Sequence, residues 1–336
     1  MPAILSAQSG FIQLKYEGTR SGATVGRSPN RPRSAFFALK MMNSKHPPIC
    51  DYEGSDYQTS FWEKGGRVYE DRVEAVALRR LLPEKGHLLL EVGAGAGRNA
   101  PRYHAFERVV LLDYARSQLQ QAQERLGEDG RFIYVAADAY HLPFAAGLFD
   151  TVTMIRTLHH MVDAPLVLRQ VRQVLQPGGM FLLEYPNKRN LKAILRYLLK
   201  RQDWNPFSPE PIEFAALNFD FHPDTVRTWL RQNGFDVERQ LTVSHYRMRA
   251  LKRLVPLDIL VTMDSLVSLT GDWWQLSPSV FVRSRAVGDT PFAPQGVFFR
   301  CPNCGDYPLD ETSGALCCSA CGKKWPIHDG IYDFRA

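Results

Sequence analysis

The segment Leu88–Asn99, LLLEVGAGAGRN, carries the strongest chemical signal in the chain. Gly93, Gly95 and Gly97 let the backbone turn tightly at the end of an apolar strand, and they let a ligand approach main-chain amides with no Cβ in the way. Asp113 stands twenty residues after Gly93, at the end of the next apolar run, where its carboxylate could accept from both ribose hydroxyls of an adenosine-type ligand. A dinucleotide fingerprint counted from Gly93 would put the bulk of Arg98 where close helix–strand packing needs a small residue. Glu91, inside the motif, suits a cationic ligand better than a pyrophosphate. Both features point away from a nicotinamide dinucleotide.

The cysteines form a second constellation. Cys50 is alone, whereas Cys301, Cys304, Cys317, Cys318 and Cys321 crowd the last 36 residues. CPNC (Cys301–Cys304) and CSAC (Cys318–Cys321), with thirteen residues between them, read as two metal knuckles. Four thiolates in tetrahedral array make a structural zinc site, closed to water and so not catalytic. Cys317 could replace Cys318 only by breaking the C-x-x-C geometry. Such clustering, without a secretory signal, predicts a reducing compartment and a cytoplasmic protein. A third group, His159 and His160 with Tyr185, could remove a proton from an acceptor, although a histidine pair there serves equally to pack or cap a helix start. No catalytic residue is assigned from the sequence.

These residues need a scaffold that gathers strand ends. VYEDRVEAVALRRLL (Val68–Leu82) predicts an amphipathic helix ended by Pro83. Strands follow at His87–Val92, Arg108–Asp113, Phe132–Ala137, Phe149–Ile155 and Met180–Tyr185, with helices from Gly97, over Ala115–Leu126 and over Ala164–Leu175. Strands alternating with helices mean an α/β fold, a doubly wound parallel sheet covered on both faces. Beyond it, NLKAILRYLLKR (Asn190–Arg201) sets Leu191, Ile194, Leu195 and Leu198 at helical spacing, with Lys192, Arg196, Lys200 and Arg201 on the other side. A helix over Pro223–Gln232, a strand from Phe235 and a last strand Ser279–Ala286 complete a seven-stranded sheet. The apolar stretch Leu251–Trp274 is a candidate lid over an acceptor with substantial apolar surface.

With 336 residues, 45% hydrophobic and 23% charged, the chain has the composition of a globular protein with a sizeable core. No apolar run reaches the roughly 18 residues that a membrane-spanning helix needs. The formal charge of +6 sits in residues 1–45, where seven basic side chains face Glu17 alone. That Ser-, Gly-, Arg- and Pro-rich arm predicts a disordered extension, with Met41 or Met42 as alternative starts. The neutral remainder argues that basic residues such as Lys188, Arg189, Arg247, Arg249, Lys252 and Arg253 form a solvated face. RNA or a phospholipid surface could also use them.

Between Glu91 and Glu184 four blocks, LLLEVGAGAGRN, ADAYHLPF, FDTVTMIRTLHHM and VLQPGGMFLLEYP, occur in an order that resembles the class I S-adenosylmethionine-dependent methyltransferases, most closely the ubiquinone/menaquinone-biosynthesis branch. The resemblance implies a Rossmann-like sheet of order 3-2-1-4-5-7-6 with the seventh strand antiparallel. It implies that Glu91 bonds toward the methionine amino end, that Gly93, Gly95 and Gly97 form the cradle, and that Asp113 holds the ribose. Tyr114 would lie against the adenine, Asp138 and Ala139 would contact its edge, and Arg156 would line the methionine portion. KKWPIHDGIYDF (Lys323–Phe334) resembles the zinc ribbon appended to some bacterial methyltransferases and used as an activator subunit of tRNA methyltransferases.

The expected organisation is an extension over 1–45, a methyltransferase domain over 46–290 with insertions at about 187–222 and 247–277, and a zinc ribbon over 297–336. The expected ligands are S-adenosyl-L-methionine and a structural Zn2+ on Cys301, Cys304, Cys318 and Cys321. The expected reaction moves a methyl group to a small, partly apolar molecule. The alternatives are an RNA methyltransferase gripping RNA with the ribbon and basic edges, and a silent adapter that docks a protein partner through the ribbon. The intact glycine loop with Asp113 argues against the adapter.

Overall fold

The computed structural model describes residues 47–127 and 129–335; the basic extension expected over 1–45 lies outside them. Its centre is a run of parallel strands whose side chains alternate between two buried faces. β1 (Gly86–Val92), β2 (Phe106–Asp113), β3 (Phe132–Ala136), β4 (Phe149–Met154) and β5 (Leu175–Pro186) pair in the order 3-2-1-4-5, in registers such as Leu90↔Val110 and Leu90↔Val152. On β1, Leu90 and Val92 enter one core and Leu89 the other. This alternation explains why strands buried on both faces read as unbroken apolar runs.

α1 (Val68–Leu81), α2 (Arg116–Leu126), α3 (Ala164–Val174) and α5 (Pro223–Gln232) cover the sheet, while α4 (Leu191–Leu198) follows β5 at the surface. Val167, Leu168 and Val171 of α3, with Val226 and Leu230 of α5, fill one face. Leu119 and Ala122 of α2, and Val73, Ala77 and Leu81 of α1, fill the other. α3 starts on an Asp163 cap whose carboxylate accepts from Leu166 N, with Pro165 in its first turn.

After a hairpin, β6 (Ile212–Ala215) and β7 (Asn218–Asp220), which sequence periodicity missed, the sheet is completed by β9 (Ser279–Ala286), antiparallel to β5, and by β8 (Phe235–Val243), antiparallel to β9 at the edge. The central order is thus 3-2-1-4-5-7-6, as the resemblance implied.

Two expectations give way. No α-helix follows the glycine loop: residues 97–103 form turns and a single 3-10 turn, Ala100–Arg102, because Pro101 has no N–H to continue a helix. Nor is Leu251–Trp274 a lid. α6 (Arg249–Leu254) and α7 (Leu257–Val267) lie against α1, where Leu260 and Val261 join its core and Tyr69 Oη donates to Asp264 at 2.5 Å.

The C-terminal strands β10 (Asp310–Thr312), β11 (Ala315–Cys317), β12 (Lys324–His328) and β13 (Ile331–Asp333) continue this same sheet. β13 pairs parallel with β3, Ile331↔Tyr134 to Asp333↔Ala136, and Phe334 N donates to Ala136 O at 2.7 Å. Trp325, Phe334 and Phe299 pack ring against ring and reach Phe144 of the main core. The cysteine-bearing segment therefore shares sheet and core with the rest, covering what would otherwise be an open strand edge.

Candidate active site

The carboxyl ends of β1, β2 and β4 open onto a cleft of about 1030 Å3, its open mouth included. Parallel sheets bind ligands at this edge, where the strand order reverses between β1 and β4. Gly93 N and Ala94 N both donate to Leu112 O, at 2.8 and 2.9 Å, which folds the loop back over β2. Gly93 has φ +74°, and a Cβ there would lie 2.2 Å from Thr157 Oγ1. Gly95, at φ +52°, faces open space, and its N–H donates to Asp113 Oδ2 at 2.8 Å. Asp113 Oδ1 accepts from Ala115 N at 2.9 Å, so one carboxylate ties the loop to the start of α2. Burial pushes the Asp113 carboxyl up, against the pull of these amides.

The cleft wall gathers Glu91, Gly93, Gly95, Asp113 and Tyr114, and with them Asp138, Ala139 and Arg156. Gly97 is not in the wall. A Cβ there would stand 3.2 Å from Ala122 and Leu126, so this glycine lets α2 pack against the loop. Asp138 closes its own turn, Oδ1 accepting from Tyr140 N at 2.9 Å and Oδ2 lying 3.1 Å from His141 Nδ1. Arg156 has φ +56°, its N–H donates to Glu184 Oε2 at 3.0 Å, and its guanidinium turns away to Glu74.

Glu91 is 1% exposed. Its Oε1 accepts from Asn99 Nδ2 at 3.0 Å and Tyr103 Oη at 2.9 Å, while Oε2 is buried without a partner. Burial pushes its carboxyl up to about 7, even though Asn99 and Tyr103 favour the charged form. A buried carboxylate oxygen with no donor, on a cleft wall, fits a ligand that brings a positively charged donor. The open space beside Gly95 fits one that lies along the backbone. S-adenosylmethionine has both features.

Sequence reading missed the cover. Residues 48–62 close over the cleft with Tyr52, Tyr57 and Trp62, the last two near a π-helical turn, Gln58–Glu63. Trp62 lies between Arg98, 3.7 Å from its ring, and Arg156, 4.8 Å away. The available signal was the aromatic crowding in DYEGSDYQTSFW, which has no strand or helix period. Glu74, fully buried, draws both arginines together. Burial alone would push it up, but Arg156 and Arg98 hold it at about 2.

Of the proposed bases, His160 lines the cleft, whereas His159 and Tyr185 do not. His160 Nδ1 lies 2.9 Å from Leu217 O, a carbonyl that can only accept, so Nδ1 carries the proton and Nε2 accepts from Tyr52 Oη at 3.1 Å. Burial pulls the imidazole down and keeps it neutral. Leu217, on the missed hairpin, thus fixes the tautomer.

At the far end of the sheet, Cys301, Cys304, Cys318 and Cys321 bring their sulfurs within 4.8 Å of one another, with Cys301–Cys321 at 3.7 Å and Cys304–Cys318 at 3.5 Å. Such spacings suit four sulfurs each about 2.3 Å from one tetrahedral ion. Cys317 stays outside, its sulfur beside Thr312 Oγ1.

Comparison with known proteins agrees with this architecture. Residues 90–183 match a family model described as a methyltransferase domain. A demethylmenaquinone methyltransferase of Clavibacter sepedonicus is 30% identical over 183 residues, 50% of this chain and 74% of that one. A 27-O-demethylrifamycin SV methyltransferase of Amycolatopsis mediterranei is 30% identical over 138 residues, 39% of this chain and 51% of the relative, so that this chain spans about half of it. Methyltransferase GfsG of Streptomyces halstedii is 35% identical over 122 residues, 35% of this chain and 42% of its own length. Among solved structures, a chain of the complex between the Haloferax volcanii Trm112 methyltransferase activator and its methyltransferase superposes with a TM-score of 0.50 at 17% identity, over 69% of this chain and 96% of that one. That likeness bears on the fold alone. Identity of 30% across nearly three quarters of a curated relative, on a sheet of this strand order, makes the chain a member of the class I S-adenosylmethionine-dependent methyltransferases.

Proposed function

We propose that this chain transfers a methyl group from S-adenosylmethionine to a small, partly apolar acceptor. The observation that carries the reading is Glu91, whose unpartnered, buried Oε2 on the cleft wall calls for a cationic donor. When bound, S-adenosylmethionine supplies an electrophilic methyl group on a sulfonium. Glu91 would hold its amino end, Asp113 the ribose hydroxyls, and Tyr114 with Asp138 and Ala139 the adenine; Gly93 and Gly95 would let its backbone-facing side approach. Arg156 would act through its main chain, since its guanidinium is engaged by Glu74.

The aromatic cover of Tyr52, Tyr57 and Trp62 supports an acceptor with apolar surface, because it excludes water and offers ring faces. For an acceptor that keeps its proton, such as a hydroxyl, the chain offers a relay. Tyr52 Oη would take that proton while passing its own to His160 Nε2, whose burial keeps it neutral and ready to accept. Relatives named for demethylmenaquinone and ubiquinone/menaquinone biosynthesis agree with an apolar acceptor. The four cysteines would hold a structural zinc ion, which favours a reducing compartment such as the cytoplasm. Among the described residues, no helix is long and apolar enough to cross a membrane.

The test is transfer of labelled methyl from S-adenosylmethionine into an extract of cells lacking the gene, fractionated before counting. Label in the solvent-extractable fraction supports the reading. Label in RNA, or in no fraction, would overturn it.

A further inference from the structure

Two helices expose apolar stripes among the described residues. On α4 and its C-cap, Leu191, Leu195, Leu198 and Leu199 recur at i, i+4, i+7 and i+8, and all are exposed, Leu198 by 66%; only Ala193 of this helix is buried. Of the apolar residues read at helical spacing, Leu191, Leu195 and Leu198 therefore face outward. On α7, Ile259, Met263, Leu266 and Val267 repeat the same spacing and are exposed, whereas Leu260, Val261 and Asp264 on the adjoining face are buried. The chain leaving α7 reaches Trp273 and Trp274, 78% and 63% exposed, and then Leu276. That segment is bound to the start of α4: Leu191 N donates to Leu276 O at 2.8 Å, and Asn187 Nδ2 donates to Gln275 O and Ser277 O at 2.8 and 2.9 Å.

The charge on α4 itself has one sign, with the exposed acids Asp203 and Asp272 lying outside the helix. Lys192 and Arg196 follow Leu191 at i+1 and i+5, and Lys200 and Arg201 lie just past the helix end. All four are exposed, and none of them has an ion-pair or side-chain hydrogen-bond partner among the described residues. On α7, the acidic Asp258 is paired with Arg72 at 2.7 Å and Asp264 is buried. Solvent does not favour four leucines and two adjacent tryptophans on one surface, and monomers rarely expose such patches without a partner. A partner protein would need matching acids and shape. A bilayer surface with anionic headgroups needs neither fixed shape nor register. It takes leucine stripes into the acyl boundary, tryptophan rings at the headgroup level and lysine and arginine against phosphate.

We propose that the face formed by α4 and the Trp273–Leu276 segment docks on an anionic membrane surface, lying in its plane without spanning it. This holds whatever the cleft binds. The test is flotation of the full chain with vesicles of phosphatidylcholine alone and of phosphatidylcholine containing about a quarter phosphatidylglycerol, with tryptophan emission read in parallel. The chain is expected to float with the anionic vesicles and not with the neutral ones, with emission shifted to shorter wavelength. Trp273→Ser/Trp274→Ser and, separately, Lys192→Glu/Arg196→Glu are each expected to cut the bound fraction at least about fivefold. Circular dichroism and thermal melting of both variants should match the parent, since every altered side chain is exposed. Absence of flotation would overturn the proposal. So would flotation of the tryptophan variant equal to that of the parent, which would assign binding to the basic residues 1–45. A dimer in light scattering that anionic vesicles do not dissociate would also overturn it, by giving the stripe to a second copy.

Discussion

Glu91 on the cleft wall and Glu74, which pairs with the wall residues Arg98 and Arg156, respond to burial in opposite ways. Burial raises the folded-state pKa of Glu91 from 4.5 to about 7, because the neutral donors on one oxygen offset it only in part and the other oxygen has none. The folded chain then keeps a proton that the unfolded chain has released. Stability from this group is full below the ordinary carboxylate range and is lost as pH rises through about 7. Glu91→Gln keeps an acceptor for Asn99 and Tyr103 without the charge. It is expected to stabilise the unliganded chain by about 1–3 kcal/mol at pH 8 and to have little effect at pH 4, read from urea midpoints. Glu74 behaves conversely, held at about 2 by Arg156 and Arg98 against burial, so its contribution is present above the ordinary range and fades as pH falls toward about 2. Removing it leaves two guanidiniums without their shared partner. Glu74→Ala should cost about 3–5 kcal/mol at pH 7 in the same urea assay.

At the scale of elements, the glycine loop separates packing from binding. Gly93→Ala puts a Cβ 2.2 Å from Thr157 Oγ1 at φ +74° and should destabilise by about 2–4 kcal/mol, whereas Gly95→Ala meets no atom within 4 Å and should cost about 1 kcal/mol. The readout is thermal melting, where equal losses would mean that the loop is not packed as described. β1–β5 were legible because strands buried on both faces leave apolar runs between turn signals, and Glu91, Asp113 and the glycines sit where those runs end. The cover over residues 48–62 was not legible, because aromatic crowding without a period names no element. α7 misled for a related reason: a helix apolar on both sides reads as a lid, and only the contacts of Leu260 and Asp264 with α1 show which side is inside. Gly97 had the right type in the right motif but serves helix packing, a role that spacing does not distinguish from ligand approach.

For the whole molecule, the cysteine segment is joined to the cleft through the sheet. β13 lies along β3, and just beyond it Arg335 Nη1 donates to Glu53 Oε2 at 3.0 Å and to Tyr114 O at 3.3 Å, reaching both the cover and the cleft wall. The knuckle spacing picked out the four cysteines that the fold brings together, but the pairing of β13 with β3 joins segments remote in sequence, and no local pattern encodes it. The full chain should contain about one zinc ion, lost in Cys301→Ser. Chelation should speed amide exchange along Tyr134–Ala136, as expected if β10–β13 need the ion to fold. Unchanged protection on β3 after chelation would mean that the strand pairing holds without metal.

Methyl transfer in this cleft requires that S-adenosylmethionine bind through Glu91. Calorimetric titration of that ligand into the parent chain and Glu91→Gln at pH 8 tests this directly. The parent should bind at one site, and the variant, at least as stable, should bind about tenfold or more weakly, a loss of about 1.4 kcal/mol. No binding by the parent, or equal affinity in the two, would contradict it.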